Sequence, residues 1–407
     1  MSSDSSRRRW LKYSAAVGGL LTGCTPNTNQ PPGQEEDVVN LLGRVVSKYG
    51  ERSPDQKITR LPGTNKHLEA SSSLTPLAQT MGIITPSALH FERHHAGIPT
   101  LQEAGYELLL HGLVAEPLTF TLNDLRSFPS ASQINFVECS GNSGREWSAK
   151  VSADVQTGFG LASCSEWTGV KLSSLLQEAG LKPAGKWVIA EGADACRMHR
   201  SIPIDKALKD ILVAYGQNGE ALRPEQGYPL RLIVPGWEGN VCVKWLRQLK
   251  VTAEPLASRE ETSKYTDMMP NGKARQYTFD MEAKSVITAP SGGQRILKRG
   301  YVEITGLAWT GKGRIDAVEI TTDGGKSWQR AKLQEPRLAN AFTRFRFDWM
   351  WDGLATKIAS RAVDETGYAQ PSRDALLAVR GANSHYHFNG IKVWQVGAEG
   401  SVTHVEA

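Results

Sequence analysis

Residues 134–147 read Ile134-Asn135-Phe136-Val137-Glu138-Cys139-Ser140-Gly141-Asn142-Ser143-Gly144-Arg145-Glu146-Trp147. The apolar, β-prone run Ile134–Glu138 predicts a strand that delivers Cys139 at its end. The tract after it is polar and rich in glycine, so Cys139 is expected to face a cleft and not a packed core. A neighbouring arginine favours the thiolate, the form that ligates metals and attacks electrophiles. From these residues alone three readings stay open: a metal ligand, a catalytic nucleophile, and an inert buried thiol.

Outward from this stretch, strands and short helices mix without strict alternation. Tyr106–Val114 is strand-like, and Thr121–Phe128 reads as a short helix capped by Thr121 with Asp124 at its third position. Leu172–Ala179 and Pro203–Lys209 read as short helices, Trp187–Glu191 and Leu230–Val234 as strands. Residues 80–255 therefore belong to the α+β class. From about Val286 the pattern changes. Tyr301–Leu307, Asp316–Thr321, Phe342–Trp349 and Ile358–Val363 are short runs rich in Val, Ile and aromatics, separated by turn signals at Asp323-Gly324-Gly325 and Asp352-Gly353. That spacing predicts an all-β sandwich with no helix interrupting it.

The chain has 407 residues, which favours two domains and a tail. Of its formal +5, the first 23 residues carry four positive charges and one negative, leaving +2 and no basic stripe for nucleic acid. Ser6-Arg7-Arg8-Arg9-Trp10-Leu11-Lys12 before the apolar Ala15–Leu21 predicts a twin-arginine (Tat) export signal over residues 1–23, the route that carries folded proteins to the periplasm. Leu21-Thr22-Gly23-Cys24 resembles a lipobox, making Cys24 a candidate lipid anchor, and residues 24–40 read as a flexible tether. Val38–Tyr49 is compatible with a helix. No run of eighteen apolar residues exists, so no transmembrane span is expected. The five cysteines, Cys24, Cys139, Cys164, Cys196 and Cys242, form no C-x-x-C pair, which argues against a zinc ribbon, a thioredoxin-like site or a covalently attached haem. Any electrons leaving this chain go to another protein or an external acceptor. A disulfide among Cys164, Cys196 and Cys242 stays open.

Five ordered segments carry a resemblance to the sulfite oxidase family of molybdenum enzymes. Cys139-Ser140-Gly141-Asn142 is similar to that family's Cys-Ala-Gly-Asn, which implies that Cys139 is the one protein ligand to molybdenum. Phe91-Glu92-Arg93-His94-His95 resembles Phe-Val-Arg-Asn-His, implying that Arg93 lines an anion pocket and that Phe91, His94 and His95 touch the pterin. Glu191-Gly192-Ala193-Asp194, with Ser201-Ile202-Pro203, resembles Glu-Gly-Leu-Asp…Ser-Ile-Pro and places Asp194 at the pterin. Gly227-Tyr228-Pro229-Leu230-Arg231, Val234-Pro235-Gly236 and Val243-Lys244-Trp245-Leu246 resemble the segments whose arginine and lysine hold the phosphate-bearing end of the cofactor. That implies the role for Arg231 and Lys244, with Gln226 and Cys242 beside them. Tyr265 falls where the family has its active-site tyrosine, and Asp323–Trp328 extends the likeness into an immunoglobulin-like dimerisation domain.

The chain departs from the family pattern at three places. Gln226 replaces a cofactor-touching histidine, His94 replaces an asparagine, and Ser143-Gly144-Arg145 leaves one arginine where the family has two. Arg93, Arg145 and Tyr265 are thus the expected catalytic residues. The implied architecture is a molybdopterin-binding catalytic domain at 41–270 followed by an immunoglobulin-like β-sandwich at 280–400, holding molybdenum–molybdopterin. The wording of Leu61–His67 and Arg223–Tyr228 most resembles molybdenum subunits of Sox-type sulfane (sulfite) dehydrogenases. Those imply sulfite or carrier-protein-bound sulfur as substrate, a separate c-type cytochrome as acceptor, and a homodimer or heterotetramer. The competing expectations are a sulfoxide reductase or assimilatory nitrate reductase on the same scaffold, and a non-enzymatic periplasmic lipoprotein that binds a partner through its sandwich.

Overall fold

Alternation along Ser130–Glu138 explains how the molecule is layered. Phe136 packs into one apolar core and Val137 into another, because successive side chains leave a strand on opposite faces. The computed structural model describes residues 46–63, 70–148, 152–276 and 279–405. The export signal at 1–23, Cys24, the tether at 24–40, most of the Val38–Tyr49 segment and Thr64–His67 lie outside them. The described part of Val38–Tyr49, residues 46–49, is not helical. The chain divides into two compact units, residues 1–56 and 57–407, and every described strand and helix lies in the second.

Two five-stranded sheets build the first half of that unit. In one, Ser130–Glu138 pairs antiparallel with Ala162–Lys171, which pairs with Leu212–Gln217; the short strands Glu220–Ala221 and Arg231–Ile233 share the far edge. In the other, the order is Leu118–Thr121, Glu107–Gly112, Leu246–Thr252, Trp187–Gly192, His199–Pro203, with only the Glu107–Gly112 pairing to Leu246–Thr252 parallel. Short helices Leu122–Ser127, Leu172–Glu178 and Ile204–Lys209 link the strands. The first carries the expected cap, Thr121 accepting from the Asp124 amide while Asp124 accepts from the Thr121 amide.

The second half is a β-sandwich. One sheet holds Lys284–Ala289, Gly300–Trp309, Thr343–Trp351 and Lys332–Leu333; the other holds Gln329–Arg330, Ile315–Thr321, Thr356–Asp364, Val393–Val396 and Val402–His404. Gly324 and Gly325 both have positive φ (76° and 93°), the left-handed backbone a tight turn here needs and an L side chain resists. A helix, Arg373–Arg380, interrupts the sandwich sequence, against the all-β expectation. Ser372 caps it, accepting from the Ala375 amide at 3.2 Å, and Gly381 ends it at φ 85°. The two halves share a core in which Phe136, Phe159 and Cys164 pack with Trp309, Phe342 and Trp394. No described helix is long and apolar enough to cross a membrane.

Candidate active site

Cys139 sits where its strand stops. Its amide still pairs, donating to the Leu161 carbonyl at 2.9 Å, while Ser140, Gly141 and Asn142 turn away. Gly239 donates to the Glu138 carbonyl at 2.7 Å, so the loop after Pro235 closes over the strand end. One cavity opens between them. Cys139, Arg93, Tyr265, Phe91, His94 and His95 line it, and so do Asp194, Gln226, Arg231, Cys242 and Lys244. Arg145 does not. It is exposed and lines a second cavity with Ser72, Ser152 and Thr157. The Gly144–Ser148 turn swings its side chain away, which corrects the expectation of a second arginine at the anion pocket.

The cavity has a cationic wall. Lys244 is half-buried and donates to the Arg93 carbonyl (3.2 Å), the Glu225 carbonyl (3.1 Å) and His94 Nδ1 (2.8 Å). Since an ammonium only donates, His94 Nδ1 accepts and its Nε2–H donates to Glu92 at 3.0 Å. Arg231 is 3% exposed, donates to the Gln226 carbonyl (3.0 Å) and lies 4.7 Å over the Trp167 ring. Trp167 itself is fully buried and backs the site without lining it. Gln226 is spent internally, donating to the Phe91 carbonyl at 2.9 Å and accepting from Arg231 at 3.3 Å. Burial pushes Arg231 down to about 10, and burial with Arg231 beside it pushes Lys244 down to about 7. Among the described residues neither cation has a carboxylate within ion-pair distance. Two desolvated charges without a counter-ion call for an anion, and a phosphate supplies one.

The other wall carries a hydrogen-bonded tyrosine and histidine. The Tyr265 hydroxyl and His95 Nε2 share a hydrogen bond of 2.9 Å. Burial, then Arg93, holds His95 down at about 4, so its ring is neutral at neutral pH. Tyr265, at φ 54°, is held by the Tyr386 ring at 5.1 Å and the Arg200 guanidinium at 5.5 Å. Burial raises the Cys139 thiol, opposed by the Gly141 amide and by Arg93. A bound metal reverses that balance and takes the thiolate outright. Among the described residues no three His, Cys, Asp or Glu side chains gather to hold a metal, so donors beyond Cys139 have to arrive with a cofactor.

The sequence reading missed His90, Met198, Asn240 and Trp245, which line the cavity together with Val137, Gly239 and Val243. Trp245 was within reach, inside the matched Val243–Leu246 segment. Cys242 accepts from the Val234 amide at 3.3 Å, Cys196 donates to Asp194 at 2.9 Å, and the four described cysteines are all free.

The chain belongs to the sulfite-oxidase-type molybdenum oxidoreductases. Residues 95–260 match the family described as "Oxidoreductase molybdopterin binding domain", and residues 275–394 match "Mo-co oxidoreductase dimerisation domain". Among solved structures the chain is similar to the sulfane dehydrogenase SoxCD from Paracoccus pantotrophus, with 46% identity, a TM-score of 0.89, and coverage of 91% of this chain and 97% of that one. It is 28% identical to a mitochondrial sulfite oxidase of Drosophila melanogaster over 87% of this chain and 68% of that protein. A nitrate reductase of Hordeum vulgare is 30% identical over 81% of this chain. The chain spans about two fifths of the length of the nitrate reductases it matches (42% and 39% for two of them). The cofactor of this family is molybdenum–molybdopterin, and the cationic wall facing Cys139 fits it.

Proposed function

We propose that this protein oxidises sulfite or carrier-bound sulfane sulfur and passes the electrons to a separate c-type cytochrome. The observation that carries the sulfur reading is the 46% identity to a sulfane dehydrogenase across 91% of the chain. Bound here, molybdenum–molybdopterin supplies the two-electron couple and the oxygen transfer from water. Cys139 would hold the metal, Arg231 and Lys244 the phosphate end, and His94, Asp194 and Gln226 the pterin flank. Arg93, its guanidinium tied to the His94 carbonyl, offers positive charge for an oxyanion in the same cavity as Cys139. Adding an oxygen atom from water releases protons, and the neutral His95 ring, bonded to Tyr265, is an acceptor within the cavity.

The nitrate reductase relatives favour a second reading, reduction of nitrate at the same site. The direction of dye chemistry separates the two. Sulfite should reduce an added ferricyanide, and nitrate should leave a reduced viologen untouched. Nitrate-driven viologen oxidation without sulfite turnover would replace the sulfur reading.

We place the protein in the periplasm, exported folded by the Tat route, with Cys24 as a lipidation site. Mass spectrometry of the mature amino terminus reads cleavage and lipidation, and an intact Met1 with an unmodified Cys24 on the protein recovered from cells would overturn both. A homodimer through the sandwich completes the proposed assembly.

A further inference from the structure

The strand that delivers Cys139 ends on a buried acid. Glu138 is 1% exposed, and its Oε1 accepts from Asn142 Nδ2 at 2.9 Å and from Lys284 Nζ at 2.6 Å. Its Oε2 accepts from Trp309 Nε1 at 2.6 Å. Lys284, also 1% exposed, donates in addition to Ser143 Oγ at 2.6 Å. Lys284 and Trp309 face each other in register on neighbouring strands of the sandwich. Two residues of the sandwich therefore grip one carboxylate immediately before the cysteine, and one of them also grips the far side of the same loop. Ser143 sits at φ 58°, a left-handed backbone that a serine keeps only when its surroundings hold it. The sandwich reaches the loop a third time, where the His387 amide donates to the Ser140 carbonyl at 2.7 Å.

Stability alone is a poor reason for this arrangement. A lysine and a glutamate this deeply buried are rare, and replacing such a pair by apolar groups of similar volume is often neutral or stabilising. What the pair does provide is direction, because four hydrogen bonds among Lys284, Glu138, Asn142, Ser143 and Trp309 must be met together. We propose that Lys284 is a positioning residue for the molybdenum site. Through Glu138 and Ser143 it sets the loop 139–143, and so fixes where the Cys139 sulfur stands relative to the cofactor cavity. The sandwich then completes the catalytic centre in addition to any part it plays in assembly. The inference rests on the reading of Cys139 as the metal ligand.

The test uses the full-length, molybdenum-loaded protein and three variants, K284M, K284R and W309F. The readouts are the visible thiolate-to-molybdenum charge-transfer absorption, the molybdenum-to-protein ratio, and kcat and KM for sulfite with saturating artificial acceptor. K284M is expected to displace the absorption maximum and to lower kcat about ten- to a hundredfold, with KM within about twofold, as for a reacting group held slightly out of place. K284R, which keeps the charge, is expected to recover part of the kcat. W309F removes one hydrogen bond to Glu138 and leaves the ion pair, so it should move the absorption the same way by less. A K284M protein that folds, loads molybdenum and shows the native absorption and kcat would overturn the proposal. If K284M does not fold, W309F decides, and a native absorption there overturns it. C139S keeps the two readings apart: if it retains the native absorption, Cys139 is not the ligand and the functional reading fails first.

Discussion

Lys244 is a cation held by two carbonyls and an imidazole nitrogen, with no acid within ion-pair distance among the described residues. Its ammonium is pushed down to about 7 by burial and by Arg231. The unfolded chain binds that proton up to the ordinary lysine range, so between about pH 7 and 10 it carries more protons than the folded one. The contribution of Lys244 to the folding stability of the cofactor-free protein therefore rises with pH across that window. Burial raises Glu238 to about 7, so its opposite contribution runs into the lower end of that window and is common to native and K244M proteins. Melting temperatures of cofactor-free native and K244M proteins between pH 7 and 9 check this. The native protein should gain stability with pH relative to K244M, and loading the cofactor should flatten that gain, because its phosphate favours the charged lysine. Parallel curves would mean Lys244 is not desolvated.

At the scale of elements, the site is made where a loop closes on a strand end. Gly239 is the tightest point: a Cβ there would lie 2.7 Å from the Glu138 carbonyl oxygen. G239A should push the loop off Cys139, costing about 1–3 kcal/mol of stability as overpacking does. Molybdenum retention should fall while the circular dichroism stays native; full retention would mean the loop does not seat the cysteine. Much of this was legible from the sequence. The strand into Cys139, the Thr121 cap and the Gly324-Gly325 turn follow from local chemistry, and ordered motifs placed Arg93, Asp194, Arg231, Lys244 and Tyr265 on one cavity. The helix Arg373–Arg380 was also within reach, since Ser372 and Gly381 are ordinary start and stop signals. Lys284 was not. Its partner Glu138 is 146 residues away, and nothing in a lysine's neighbours along the chain announces that it is buried. Arg145 misled for a related reason: motif spacing gives a position in the chain, and the Gly144 turn decides which cavity it lines.

For the whole molecule, the sandwich grips the Cys139 loop, and in the proposed homodimer it also meets a second copy. The two roles use different surfaces. Lys284, Trp309 and His387 are buried against the catalytic half, while Tyr301 and Met350, paired across neighbouring strands, are 63% and 72% exposed. Leu354, 66% exposed, lies on the turn beside them. These side chains are where the proposed homodimer would place its contact. Changing Tyr301 and Met350 together to aspartate should halve the mass seen by light scattering and leave the molybdenum content intact. An unchanged mass would move the dimer contact elsewhere. The most direct test of a sulfur-oxidising molybdenum centre on Cys139 is sulfite-dependent reduction of cytochrome c by the molybdenum-loaded chain, native against Cys139→Ser, with metal content measured on both. Turnover by the native protein and a loss of more than about a thousandfold in the variant are expected; equal turnover by the two would contradict that centre.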